Sequence, residues 1–222
     1  MKTLGGPFSG KCGRMIASRN HYGPYCRGVG AAPGSGTPAQ LQWRGTFGPI
    51  SASWGKGLTK DQYAGWRRLA ARTRSRNWMG TSRSLTGQAA YVAVNSVLAR
   101  LGRATVLDAP ALAEFGPNPV GALKISRGEG DLALKLSVAG PVVEEIMVYG
   151  APPCSAGKEK PPYLKYLGLL GVPEGGAWDI TKIYVDEFGE PAAGMQVFIC
   201  TRQQLRGQEG HDHLTSEIVP GK

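Results

Sequence analysis

The stretch Leu123-Lys124-Ile125-Ser126, Gly128-Glu129-Gly130-Asp131, Leu132-Ala133-Leu134-Lys135-Leu136-Ser137 alternates apolar and polar residues on both sides of a glycine-rich break. A period of two puts Leu123 and Ile125 on one face of an extended chain and Lys124 and Ser126 on the other. Two such runs around a tight turn read as a β-hairpin. Further strand-like runs follow at 142–149, 163–170, 178–185 and 195–202, separated by Gly/Pro turns. Short strands at that spacing predict an antiparallel β-sandwich over 121–206, with Leu134, Ile146, Val148, Ile183, Val197 and Ile199 in its core.

Upstream the period changes to that of a helix. Thr37-Pro38-Ala39-Gln40 is a capping box with proline at the first helical position. Trp43, Phe47, Ile50 and Trp54 then fall on one stripe, which Gly48-Pro49 is expected to kink and Gly55-Lys56-Gly57 to end. Thr59-Lys60-Asp61-Gln62 is a second capping box, followed by the stripe Tyr63, Trp66, Leu69, Ala70. Thr86 caps a third helix over 87–101, with Tyr91, Val94, Leu98 and Leu101 on its apolar face. The fold class expected is α+β. A Gly/Pro-rich arm (1–36), in which 14–18 and 22–27 can pair as a hairpin, precedes a basic helical region (37–105). A Pro-rich linker (106–120) leads to the sandwich (121–206), and 207–222 reads as a loose polar tail.

The chain has 222 residues, 41% of them hydrophobic, which is enough to bury a real core. Its 33 Gly and 16 Pro favour turns and strands over a helical bundle. No apolar run is long enough for a membrane-spanning helix, so no membrane insertion is expected. Met1–Pro7 lacks the apolar core of a secretory signal. The expected location is therefore a virion or the cell exterior, reached without such a signal, with the cytoplasm as the alternative.

Charge is partitioned unevenly. Residues 1–105 hold sixteen Lys or Arg and one acid, Asp61, whereas 106–222 hold ten bases and fifteen acids. Such asymmetry points to a basic half that binds either nucleic acid or the acidic half of a neighbouring copy. Arg67, Arg68, Arg72, Arg74, Arg76 and Arg83 are the contact candidates, with Trp78, which lies off the helical stripes, as the aromatic one. On a neighbouring copy their counterparts would be Glu144, Glu145, Asp186, Glu187 and Glu190.

No P-loop, dinucleotide fingerprint, H-E-x-x-H or G-x-S-x-G is present, and no cofactor, metal or catalytic residue is expected. His211-Asp212-His213 reads as solvated tail, and the acid pairs Glu144-Glu145 and Asp186-Glu187 as solvent-facing strand edges. Cys12, Cys26, Cys154 and Cys200 form no C-x-x-C. A Cys12–Cys26 disulfide across the arm hairpin is the alternative to four buried free thiols, which are preferred. The expectation is a non-enzymatic structural subunit that assembles with copies of itself in a virion or an extracellular filament. A nucleic-acid-binding protein is the alternative.

Two resemblances accompany this reading. Tyr25-x-Arg27, Thr37-Pro38-Ala39-Gln40, Arg44, Phe47, Trp54, Leu58-Thr59, Gln62, Trp66 and Leu85-Thr86-Gly87-Gln88 resemble a group of uncharacterised bacterial and phage-associated proteins. That group shares a Gly-rich start, T-x-x-Q-x-x-x-R and L-T-x-x-Q-x-x-x-W helices and a β-domain, and it implies no known activity. Phe188-Gly189-Glu190-Pro191, Gly194 and the strand 195–202 are similar to a late hairpin of immunoglobulin or fibronectin type III domains.

Overall fold

The computed structural model describes residues 10–20, 23–30, 36–76, 82–128 and 132–221. The chain divides into two units, Met1–Gly45 and Thr46–Lys222. Among the described residues it is mixed α and β, with four helices and sheets whose strand pairs are all antiparallel.

The first unit carries a three-stranded sheet in the order β1 (Gly10–Cys12), β2 (Met15–Asn20), β3 (Gly23–Gly28), so the expected hairpin forms and gains a third strand. It also holds the start of α1 (Pro38–Trp54). The capping box is made as read: Gln40 N donates to Thr37 Oγ1 and Thr37 N donates to Gln40 Oε1. Helix α1 runs on past Pro49. Proline gives no N–H to the carbonyl four residues earlier, which belongs to Gly45, the residue at the unit boundary.

The second unit takes in the end of α1 and continues with α2 (Lys60–Arg72), a short ladder of β4 (Arg74–Arg76) and β5 (Ser82–Ser84), and α3 (Gly87–Arg100). Thr59 and Gln62 cap α2 reciprocally, and Thr86 Oγ1 accepts from Ala89 N at the start of α3. The stripes meet as their periods require. Trp66, fully buried, stands edge-on to Tyr91 with ring centroids 5.2 Å apart, and Leu69, Ala70, Val94 and Leu98 close around them. The stretch read as a linker has no helix or strand before Val120, yet it is pinned. The buried Asn95 donates to Val106 O and accepts from Val106 N, and Trp66 Nε1 donates to Leu107 O.

The β-part follows as β6 (Val120–Arg127), β7 (Leu132–Val138), β8 (Glu145–Gly150), β9 (Cys154–Ser155), β10 (Lys165–Leu169), β11 (Ala177–Asp179), α4 (Thr181–Phe188), β12 (Met195–Leu205), β13 (Gln208–Glu209) and β14 (His213–Ile218). One sheet has the order β11-β7-β6. The other runs β10-β8-β12, and β12 also pairs β9, β13 and β14. Leu123 and Leu134, from the alternating stretch, share one core with Ile146, Val148, Val197 and Ile199 of the second sheet. Five of the six predicted core residues are thus fully buried; Ile183 packs against that core partly exposed.

Two expectations are corrected. The run 178–185 is not one strand: β11 ends at Asp179 and α4 begins at Thr181. Its apolar residues Ile180, Ile183, Tyr184 and Phe188 have helical spacing, but β-branched and aromatic residues gave the run the look of a strand. The sequence 207–222 is not loose, since β14 pairs with β12 from Gln196↔Ile218 to Thr201↔His213 and Val219 is buried in the core. Arg206-Gly207 forms a two-residue hairpin turn between β12 and β13, both residues at positive φ.

That turn rests on α3. A Cβ on Gly207 would lie 2.8 Å from both Val94 Cγ1 and Val94 O. Gly207→Ala is expected to lower unfolding free energy by roughly 2–5 kcal/mol, combining the left-handed backbone with overpacking. Gly157→Ala, at positive φ with nothing within 4 Å, should cost only about 1–2 kcal/mol. Urea midpoints of the two variants check this, and equal costs would refute the close contact.

Candidate functional site

The predicted contact residues divide between a helix and a ladder. Arg67, Arg68 and Arg72 are exposed on α2, opposite the buried Trp66, Leu69 and Ala70. Together with the exposed Lys60 they span about 18 Å of helix. Gly87 allows the start of α3 to close on the aliphatic stem of Arg67, since a Cβ there would come within 3.1 Å of Arg67 Cγ. Arg74 and Arg76 belong not to a helix exit but to β4, and Arg83 belongs to β5, with the pairs Arg74↔Ser84, Ser75↔Arg83 and Arg76↔Ser82. The ladder folds the basic run back on itself, which the sequence reading missed. Trp78 lies outside the described residues.

Among the described residues, Arg67, Arg68 and Arg72 make no ion pair. The bases of the first 105 residues that do are Arg100 and Arg103, with Glu209 and Glu145. The acids expected to face the arginines are engaged within their own chain. Glu145 pairs with Arg103, Asp186 with Lys182, Glu187 with Lys165 and Glu190 with Arg127, while Glu144 accepts from Gln203 Nε2 at 3.1 Å.

A second polar cluster joins α3 to the sheet. Arg100 Nη1 donates to Tyr149 Oη at 2.7 Å, and Tyr149 Oη donates to Glu209 Oε1 at 2.7 Å. Arg202 lies 4.6 Å from the centre of the Tyr149 ring and pairs with Glu209 and Asp212. Burial, reinforced by the Glu209 carboxylate, pushes the Tyr149 hydroxyl up, so it stays a proton donor. Burial disfavours charge on Arg202, but Asp212 and Glu209 outweigh it and raise its pKa. The signal for this cluster was the unbroken apolar run Ile146-Met147-Val148-Tyr149, which marks a strand buried on both faces. Ile146 and Val148 face the shared core; Met147 and Tyr149 meet Val97 of α3 and Cys200.

Between α2, α3, the pinned stretch and the β12–β13 turn lies a cleft of about 480 Å³, with Leu69, Val94, Val97, Leu112 and Phe115 among its walls. The walls are mainly apolar; their polar side chains are Thr73, Gln208, Glu209 and His211, of which Glu209 is bound by Tyr149 and Arg202, and Gln208 by the backbone of Ala111 and Ala113. Among the described residues no three His, Cys, Asp or Glu side chains are grouped to hold a metal, and no helix is long and apolar enough to cross a membrane.

All four cysteines are free, but only Cys154 and Cys200 are buried, which corrects the expectation of four buried thiols. Cys12 and Cys26 are exposed because they sit on the small first sheet. Cys12 pairs with Met15 and Cys26 with Ala17, so β2 lies between them. Two strand spacings, about 10 Å, put them beyond disulfide reach. Burial, then Asp212, pushes the Cys200 thiol up to about 11.

Comparison with protein-family models, curated proteins and solved structures finds no match to this chain.

A thiol-reactive aromatic disulfide should therefore modify two cysteines in the native protein and four in denaturant. Peptide mapping should place the native pair at Cys12 and Cys26. Rapid native labelling of Cys200 would contradict its burial.

Proposed function

We propose that this chain is a non-enzymatic structural subunit that assembles with copies of itself, as part of a virion or an extracellular filament. One observation carries the reading: among the described residues, the first unit has three paired strands but no buried apolar cluster of its own. Ala17 is its one buried residue among those described, while Met15, Tyr25, Leu41 and Trp43 are exposed by 42–55%. A sheet of three short strands with no apolar core is marginal in water and gains stability from a surface laid against it. In an assembly a neighbouring copy supplies that surface, and a head-to-tail arrangement propagates it into rings or filaments.

The second unit is the body that such an assembly would display. Its two antiparallel sheets around one core support an immunoglobulin or fibronectin type III-like sandwich, with α4 inserted between β11 and β12. The same reading places the chain with the bacterial and phage-associated proteins that its N-terminal motifs resemble.

Sedimentation velocity over a range of concentrations, with negative-stain microscopy of the larger species, tests the proposal. Wild type should form particles of regular size or regular polymers. The double variant Met15→Glu, Tyr25→Glu should stay monomeric, with a thermal melt matching wild type, because neither residue belongs to a core cluster. A wild-type chain that is monomeric at every concentration defeats the proposal.

A further inference from the structure

We infer that the exposed face of α2 binds the sugar–phosphate backbone of nucleic acid without sequence preference. Arg67, Arg68 and Arg72 have no acidic partner among the described residues. Arg68 and Arg72 are one helical turn apart, so the free surface holds like charges at repelling distance. On a second copy, Glu145, Asp186, Glu187 and Glu190 are each held by a base of their own chain, which leaves scattered exposed acids such as Glu114, Glu159, Glu174 and Glu217. A nucleic-acid backbone offers negative charge at a far higher and more regular density than such carboxylates.

Residue type and spacing then select among polyanions. From Lys60 to Arg83 there are six arginines to one lysine. A guanidinium fork matches two phosphate oxygens at once, whereas an ammonium acts as a point charge. The arginines and Lys60 on α2 extend over about 18 Å, the length of roughly five phosphates along one strand. An anionic membrane fits less well. A helix that binds at a lipid interface inserts large apolar residues, and none of the exposed large hydrophobic residues lies on α2. Nothing in this arrangement reads base edges, so binding should be indifferent to sequence.

The test uses the full chain, with fluorescence anisotropy of labelled single-stranded and duplex oligonucleotides of two unrelated sequences over a salt series. Both sequences should bind alike, with affinity falling linearly in log–log form as salt rises. The variant Arg67→Ala, Arg68→Ala, Arg72→Ala should lose about 2–3 units of that slope. The control Lys124→Ala, Lys158→Ala, Lys160→Ala, which removes the same charge from exposed positions of the β-part, should keep it. Because the stem of Arg67 packs on Gly87, the double variant Arg68→Ala, Arg72→Ala guards against a folding effect and should lose about 1–2 units. Three results would each overturn the inference: no oligonucleotide binding at low salt, equal slopes for the α2 variants and the control, or salt-sensitive attachment to phosphatidylserine vesicles without oligonucleotide binding. If wild type self-associates without nucleic acid and the α2 variants do not, the partner is an acidic protein surface and the inference also fails. None of these results depends on the assembly role proposed above, which rests on Met15 and Tyr25.

Discussion

Helix α3 is gripped on two sides, and the second unit depends on that grip. One face, through Tyr91, Val94 and Leu98, closes the core it shares with α2; another, through Val97, lies on Met147, Tyr149 and Cys200 of the sheet. Such a helix cannot be polar on its outer side, and α3 is not. The contact is sealed where Gly207 brings a hairpin turn to within van der Waals distance of Val94, and where Arg100 reaches Tyr149. Asn95, wholly buried, uses its amide to hold Val106, so the chain leaving α3 is routed back over the helical layer before it enters β6. Helical layer and sheet therefore share one unit although the sequence separates them by a proline-rich stretch.

Electrostatics divides the molecule differently from packing. In the β-part, bases and acids alternate closely enough to satisfy one another, as Arg127 with Glu190 and Lys165 with Glu187. Exposed pairs of this kind add little stability, typically about 0–1 kcal/mol each. Their more telling effect is to remove carboxylates from the pool available to others. The first 105 residues have a single acid of their own, and of their bases Arg100 and Arg103 draw on Glu209 and Glu145 of the β-part. Packing joins α2 to the sheet through α3, while charge sets α2 apart as a surface directed at something else.

Much of the fold was legible because its signals were local. The capping boxes at Thr37 and Thr59, the cap at Thr86 and the alternation around Leu123 and Leu134 each act within a few residues, and each formed as read. What escaped depends on distant partners. Whether Ile180-Thr181-Lys182-Ile183-Tyr184 coils or extends is decided by how Tyr184 and Ile180 enter a core built by other strands. The polar appearance of 207–222 hid a strand because the partly buried residues of β14 are themselves polar, His213 and Thr215, and the core is entered only by Val219 just beyond it. For the candidate site, the arginines stand out by residue type, but β4 and β5 were invisible: three-residue strands rich in Arg and Ser carry no periodic signal. The Arg100–Tyr149–Arg202–Glu209 cluster brings together residues from four elements and could be found only in three dimensions.

The neighbourhood of β6 and β14 bears on how the chain is made. Leu123 N, in β6, donates to Thr215 Oγ1, in β14, and Val120 and Val219 belong to the same core. The first strand of the β-part thus waits for a strand about a hundred residues downstream. On a ribosome adding 5–20 residues per second, Leu123 and Leu134 stay open to water for roughly 5–20 s before Val219 emerges to cover them. Through that interval the nascent chain displays adhesive apolar strands, in a crowded cell where other nascent chains do the same. Holdase chaperones at the tunnel exit, or slow translation after residue 138, would then govern how much of the protein reaches its folded state.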